Sequence, residues 1–490
     1  MYPNLSNIDE NNLGDMPIDE FRKYGYRFID WVCDYFENIE DYPVLSASSP
    51  GDIKSALPDT PDKPDAFDDI LNDFDNIIIP GITHWNHPSF NAYFSNTGSG
   101  PSILADLISA ALNVNVMLWK TSPSATELEE TVMEWMRKLL HLPEGFFGMI
   151  IDTASTATFT ALVAARENIP DLNIRIKGFS GGNGAKPIII YCSDQAHSSV
   201  DKAAIAIGTG IENVRRIKSD DNFSMIPSEL EKSLKSDLEN ELLPFAVIST
   251  IGTTSSTSID PVPEIGTICR KYGLWHHVDG AYAGVVSIVP EYNFLMDGFE
   301  NVDSYVTNPH KWLFAPIDTS LIFYKDPEKV KSAFSIVPEY LKTTESSETV
   351  DYMNYGIQLG RRFRALKLWF IIRYFGREGL INRLRDHLRI ARLFQSYVKN
   401  HPDFELLAPV PFSVICFRYN PGGNFRNEDE LEKINSELME KVNSTGKLYL
   451  SHTKLNGKYT IRFAIGNIKT NEGHVDKAWE LICKTSEEVI

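Results

Sequence analysis

Between about residues 100 and 390, short apolar runs alternate with longer amphipathic or polar stretches, and this alternation constrains the fold more than any other feature. PIIIYC (187–192), FAVIST (245–250) and LWHHV (274–278) are mostly apolar without a strict polar alternation, and short enough for single strands. A strand with one wet face alternates in polarity, whereas a strand buried on both faces reads as a continuous apolar run. Helix-length stretches between the runs allow the strands to run parallel, which predicts an α/β domain around a mostly parallel sheet. After about residue 400, FSVICFRY (412–419), KLYLSH (447–452) and KYTIRFAI (458–465) lead into a final helix, a small α+β domain. A chain of 490 residues is too long for one simple core. The expected division is a helical segment over 1–95, a large α/β domain over 96–390 and the small domain over 391–490.

Asp15 and Pro17 mark the start of a first helix, in which Phe21, Tyr24, Phe28, Val32 and Tyr35 recur at helical spacing. Such a helix must pack on the rest of the chain or on a second subunit. Residues 40–65, rich in Pro, Ser and Asp, read as a connector. The net charge of −19 argues against nucleic acid or an anionic membrane as the main partner. Five scattered cysteines without a CxxC pair argue against a disulfide framework or a zinc site and for a reducing compartment. The polar, acidic N-terminus does not read as a secretory signal, and no stretch is apolar enough to span a bilayer, so a soluble cytoplasmic protein is expected. There is no GxGxxG after a strand and no Walker loop; SGGNG (180–184) reads as a loop.

In open α/β sheets ligands bind at the carboxyl ends of the strands. There the sequence places Thr153-Ala154-Ser155-Thr156, opening a helix; His197, after PIIIYC; Gly252-Thr253-Thr254, after FAVIST; Asp279-Gly280-Ala281, after LWHHV; and Asn308-Pro309-His310-Lys311. Each has a plain structural alternative. The hydroxyls can be helix caps, His197 a core histidine, Asp279 a cap, and Lys311 a surface lysine beside a buried Trp312. Together they match one ligand. Pyridoxal phosphate needs an amine for its aldehyde, a carboxylate for its pyridine nitrogen, a flat neighbour for its ring and donors for its phosphate. His84, His87, His276 and His277 do not make a metal site, because neighbours on a strand face opposite ways.

SDQAHSSVDKA (193–203), HVDGAYAG (277–284), NPHKWL (308–313) and GRRFRALKLWF (360–370) resemble the aromatic-L-amino-acid decarboxylase family, the group II pyridoxal-phosphate decarboxylases, in order and spacing. The resemblance implies the aspartate-aminotransferase fold (pyridoxal-phosphate fold type I) and a homodimer in which the N-terminal helical segment wraps over the partner. It implies that Lys311 attaches the cofactor, that Asp279 pairs with the ring nitrogen, and that His197 stacks on the ring with Ala281 on the opposite face. Thr254 matches a hydroxyl near cofactor and substrate; Thr153, Ala154, Ser155 and Asn308 match the phosphate binders, and His310 keeps its place before the lysine. Trp85, Tyr93 and Phe94, in HWNHPSFNAYF, match the substrate-pocket segment; Asn115, Met117 and Gly360 fall at further substrate positions, the first two reaching the neighbouring subunit's site. Tyr340, in PEYLK, matches the tyrosine of the mobile catalytic loop and the general acid at Cα.

Five positions depart from the family's usual residues. Ser95 replaces Pro; Asn115 and Met117 replace an aliphatic residue and Phe; Thr153 stands for Ser and Thr156 for Glu. The last two leave phosphate binding intact, and the first three bear on the substrate. Asn115 offers an amide to a ring hydroxyl or an indole N–H alike, and Met117 adapts to several shapes. The expected reaction is decarboxylation of an aromatic L-amino acid (tyrosine, tryptophan, phenylalanine or DOPA class) to its amine. An aromatic acetaldehyde synthase, which in this family accompanies loss of the loop tyrosine or the stacking histidine, is disfavoured because Tyr340 and His197 are both present. A non-aromatic substrate is disfavoured by Trp85, Tyr93 and Phe94, and a non-catalytic binding protein by the retention of Lys311 and Asp279.

Overall fold

A computed structural model describes residues 13–60, 63–170, 172–179, 186–336, 341, 348–422 and 427–489. Its contacts divide the chain into two units, Met1–Pro43 and Val44–Ile490. The first holds one long helix, Ile18–Glu37, which starts after Pro17, a residue that needs no intrahelical N–H partner. Ile18, Phe21, Tyr26, Phe28 and Ile29 of this helix stay exposed, while Trp31 stacks on Tyr35 with ring centres 5.3 Å apart.

The second unit is built on seven strands: β1 (Phe147–Ile151), β2 (Ile188–Ser193), β3 (Val214–Ile217), β4 (Leu243–Thr250), β5 (Trp275–Asp279), β6 (Ser304–Thr307) and β7 (Ser320–Tyr324). They lie in the order β1-β7-β6-β5-β4-β2-β3. Only β7 runs antiparallel to its neighbours, so the expected mostly parallel sheet is present. All residues of β2, β5, β6 and β7 are buried, which is why these segments lack a polar alternation. The carboxyl ends of β1, β2, β4, β5 and β6 share one edge, which lines up the polar residues that follow each strand.

Helices Ala154–Glu167, Pro227–Glu239 and Val262–Tyr272 connect successive strands. The helix spanning Ala365–Asn400 is interrupted at Gly376, whose φ of 61° and ψ of 174° suit glycine alone. The chain then forms an antiparallel sheet of β8 (Phe404–Leu406), β9 (Val414–Tyr419), β10 (Ser451–Leu455) and β11 (Lys458–Ala464), in the order β10-β11-β9-β8. The strand expected over KLYLSH begins only at Ser451. Asn443 takes both backbone groups of Leu450, accepting from its N–H at 2.8 Å and donating to its carbonyl at 3.0 Å, in place of a ladder. The connector over 40–65 contains a short helix, Asp52–Ala56. Among the described residues no helix is long and apolar enough to cross a membrane. SGGNG lies outside the described residues.

Candidate active site

Asp279 is the last residue of β5 and is buried. Its Oδ1 accepts the backbone N–H of Ala281 at 2.9 Å. The next strand end is stitched to it: Asn308 N–H donates to the Ala281 carbonyl at 3.0 Å, and Lys311 N–H to the Asn308 carbonyl at 2.9 Å. This seats Lys311 in a helical turn, Pro309–Trp312, above the same edge of the sheet. Among the described residues no acceptor takes the protons of its Nζ, which lies 5.4 Å from the centre of the Phe94 ring. Desolvation lowers the lysine pKa from its ordinary value, and the charge of Asp279 only partly opposes this. A lysine held this way is a better nucleophile than a solvated one.

His197 follows β2 and keeps an exposed face, so it is not a core histidine. Its Nδ1 accepts the Ser199 N–H at 3.1 Å, which puts the proton of the neutral ring on Nε2. Desolvation lowers its pKa; Asp279 raises it and Lys311 lowers it, so the three groups feel one another. His310 is buried, accepts Thr319 N–H at Nδ1 (3.0 Å), and is driven to about 4 by burial and by the charge of Lys311.

The helix Ala154–Glu167 opens at the end of β1, with Thr153 as its cap: Oγ1 accepts the Thr156 N–H at 3.3 Å. Ser155 is exposed in its first turn. The Ser320 hydroxyl lies 2.6 Å from Asn308 Oδ1 and 3.1 Å from the Asp152 carbonyl, so it ties the Asn308 turn to the start of this helix. First-turn N–H groups and hydroxyls together suit an anion.

Phe94 stacks on Tyr282 with ring centres 3.7 Å apart, and Tyr282 on Trp312 at 4.7 Å. Arg462, a charged residue in the buried strand β11, reaches the same ring, its guanidinium carbon 5.6 Å from the centre of Phe94. It donates to the carbonyls of Thr254 (2.9 Å), Ser255 (3.1 Å) and Ala92 (3.1 Å), fixing the exposed Thr254 turn against Phe94's own segment. Sequence reading missed Arg462, Ser320 and the role of Tyr282. An arginine inside KYTIRFAI was the available signal, since buried charge needs partners. Trp85 stacks on Phe90 (4.3 Å) and Tyr93 (5.9 Å), an aromatic cluster left partly exposed. The hydroxyl of buried Ser95 has no partner among the described residues.

Asn115, Met117 and Gly360 form a separate group. Asn115 Nδ2 lies 3.6 Å from Met117 Sδ, and a Cβ on Gly360 would lie 3.8 Å from that nitrogen. No hydrogen bond or ring contact among the described residues joins this group to Lys311, Asp279 or His197. Tyr340 lies outside the described residues. His276 bonds Ser249 Oγ and His277 bonds Ser304 Oγ, each at 2.8 Å, on opposite faces of β5. The described residues hold no cluster of metal-ligating side chains.

Pyridoxal phosphate fits this arrangement. The free amine of Lys311, the second oxygen of Asp279 and the helix start at Thr153 offer its aldehyde, its ring nitrogen and its phosphate what each requires. Fold and site thus define a pyridoxal-phosphate enzyme of fold type I. Residues 50–420 match the pyridoxal-dependent decarboxylase conserved domain, and the chain belongs to that family. It is 41% identical to tyrosine decarboxylase 4 of Petroselinum crispum over 477 residues, 95% of this chain and 92% of that protein. It is 40% identical to phenylacetaldehyde synthase of Arabidopsis thaliana, with 96% of each chain covered. The crystal structure of Oryza sativa TDC with PLP and tryptamine superposes with a TM-score of 0.93 at 35% identity, over 97% of this chain and 99% of that one.

Proposed function

We propose that this protein removes CO2 from an aromatic L-amino acid and releases the corresponding amine, acting as a cytoplasmic homodimer. The observation that carries the reading is the placement of the desolvated Lys311 amine beside the Phe94 ring, in the field of Asp279. Similarity to tyrosine decarboxylase and to the tryptamine-bound TDC supports an aromatic substrate. The exposed apolar residues Phe21, Phe28 and Ile29 of the N-terminal helix, and Leu104, Leu107 and Ile108 of the helix Gly100–Leu112, support assembly with a second copy.

Bound pyridoxal phosphate supplies an electron sink for the pair left on Cα when CO2 departs. Lys311 would hold the cofactor through its aldehyde. Asp279 keeps a proton on the ring nitrogen, and its position is fixed by the Ala281 N–H. His197 and Ala281 would flank the cofactor ring. Thr153, Ala154, Ser155 and Asn308 would hold the phosphate, His310 would support the cofactor from its place before the lysine, and Thr254 would sit beside cofactor and substrate. Trp85, Tyr93 and Phe94, with Asn115 and Met117 from the other subunit, wall the substrate ring together with Gly360. Tyr340 delivers the proton to Cα. Retention of both Tyr340 and His197 favours the amine over the aldehyde.

The test is the purified holoprotein with a panel of amino acids and separate readouts of CO2, amine, aldehyde and peroxide. Amine and CO2 in equal amounts from an aromatic amino acid are expected. Aldehyde with peroxide would establish the synthase reaction instead, and turnover of acidic or imidazole substrates alone would overturn the aromatic assignment. Sedimentation of the same sample reads the dimer.

A further inference from the structure

The hydrogen bonds around Asn115 decide which half of its amide is free. The backbone N–H of Arg361 lies 2.9 Å from Asn115 Oδ1. A backbone N–H only donates, so the atom facing it is the oxygen and the amide cannot be turned over. The surroundings are rigid. Val116 N–H donates to the Arg361 carbonyl at 2.9 Å, and Arg361 Nη1 to the Val116 carbonyl at 3.1 Å. The buried Arg361 guanidinium also reaches Glu129 Oε1 at 2.5 Å and the Ile150 carbonyl at 2.7 Å, and Thr121 Oγ1 donates to the main-chain carbonyl of Asn115 at 3.0 Å.

What remains is Nδ2, with two protons. Its one partner among the described residues is the Met117 thioether, a weak acceptor, at 3.6 Å. Asn115 is exposed in the single chain. A Cβ on Gly360 would meet nothing within 4 Å other than this nitrogen, so the glycine leaves the space beside it open. The amide therefore turns its donor end to that space, while its oxygen is engaged by the main chain.

We infer that Asn115 is a specificity-determining residue that donates a hydrogen bond to a ring oxygen of the substrate, so that a hydroxylated ring is preferred over the unsubstituted ring of the same scaffold. This rests on the proposed reading that residues 115–117 wall the substrate pocket. A phenol, catechol or 5-hydroxyindole oxygen accepts from Nδ2, whereas an indole N–H would need the oxygen, which the Arg361 N–H already engages. The expectation that the amide serves hydroxyl and indole N–H alike is thus narrowed to the first.

The test compares kcat/KM of the holoenzyme for tyrosine against phenylalanine and for 5-hydroxytryptophan against tryptophan. The wild type favours the hydroxylated member of each pair by about fivefold, the worth of one net hydrogen bond. Asn115→Leu brings both ratios close to one. Asn115→Asp keeps an oxygen for the Arg361 N–H but presents an acceptor. It retains tyrosine, whose hydroxyl can donate, and loses 4-methoxyphenylalanine, whose oxygen only accepts. Calorimetric Kd values for tyramine and phenethylamine read the same preference without turnover. Unchanged ratios in Asn115→Leu, or an Asn115→Asp variant that handles the methoxy substrate like wild type, overturn the assignment. A wild type that decarboxylates no aromatic amino acid overturns the underlying reading, and the assignment with it.

Discussion

Asp279 engages one carboxylate oxygen with the backbone N–H of Ala281, two residues on, at 2.9 Å, and no hydrogen bond among the described residues takes the other. The bond fixes the carboxylate at the end of β5 before any cofactor arrives. Removing the carboxylate in Asp279→Ala should lower decarboxylation by orders of magnitude, since one well-placed electrostatic group is worth about 3–4 kcal/mol. A loss below about tenfold in kcat would contradict this role.

Lys311 is desolvated and has no acceptor for its amine among the described residues. The purified protein should carry a visible absorbance that borohydride abolishes. Lys311→Ala should eliminate covalent attachment and turnover together, read by absorbance and mass spectrometry. Normal turnover in that variant would remove the lysine from the mechanism.

Tyr340 is the proposed proton donor to Cα. Tyr340→Phe should leave CO2 release in place and shift product from amine to aldehyde, ammonia and peroxide under air. Mostly amine, at a rate near wild type, would assign the donor role elsewhere, with His197 next in line.

Arg361 and Glu129 form an ion pair at 2.5 Å with side chains 4% and 1% exposed. Glu129→Gln leaves the guanidinium without its counter-charge in the interior, and breaking such a pair costs about 3–5 kcal/mol. Denaturant unfolding should show that loss, and the double change Glu129→Met with Arg361→Met should recover much of it. Equal stability of Glu129→Gln and wild type would mean that the pair is solvated.

His387 accepts the Trp312 indole N–H at Nδ1, 2.9 Å away, and burial lowers its pKa from 6.5 to about 4. The unfolded chain therefore takes up a proton at a pH where the native one does not. The stability this contributes is complete above pH 6.5 and is lost as pH falls towards 4, about 3 kcal/mol in all. His387→Gln, which keeps an acceptor for Trp312, should flatten this part of the acid limb in urea unfolding between pH 7.5 and 4. Superimposable limbs would show that His387 is protonated in the native state.

The sequence by itself determined the mostly parallel sheet, because strands buried on both faces lack the strict apolar–polar alternation that a wet face imposes, and that property is local. It also determined which polar residues stand at the strand ends. Asp279 ends its strand and Thr153, His197 and Lys311 lie two to four residues beyond theirs, so a common strand direction is enough to place them along one edge. Its motif order placed the chain in its family. Tertiary structure alone decided what those residues meet. Phe94 reaches Lys311, and Arg462 reaches both Phe94 and the Thr254 carbonyl, across separations that no periodicity encodes. The free half of the Asn115 amide was likewise undetermined, because an amide carries both donor and acceptor and only a fixed neighbour selects between them. Here that neighbour is the main-chain N–H of Arg361, 246 residues along the chain, which takes the oxygen and leaves the nitrogen with only the Met117 thioether.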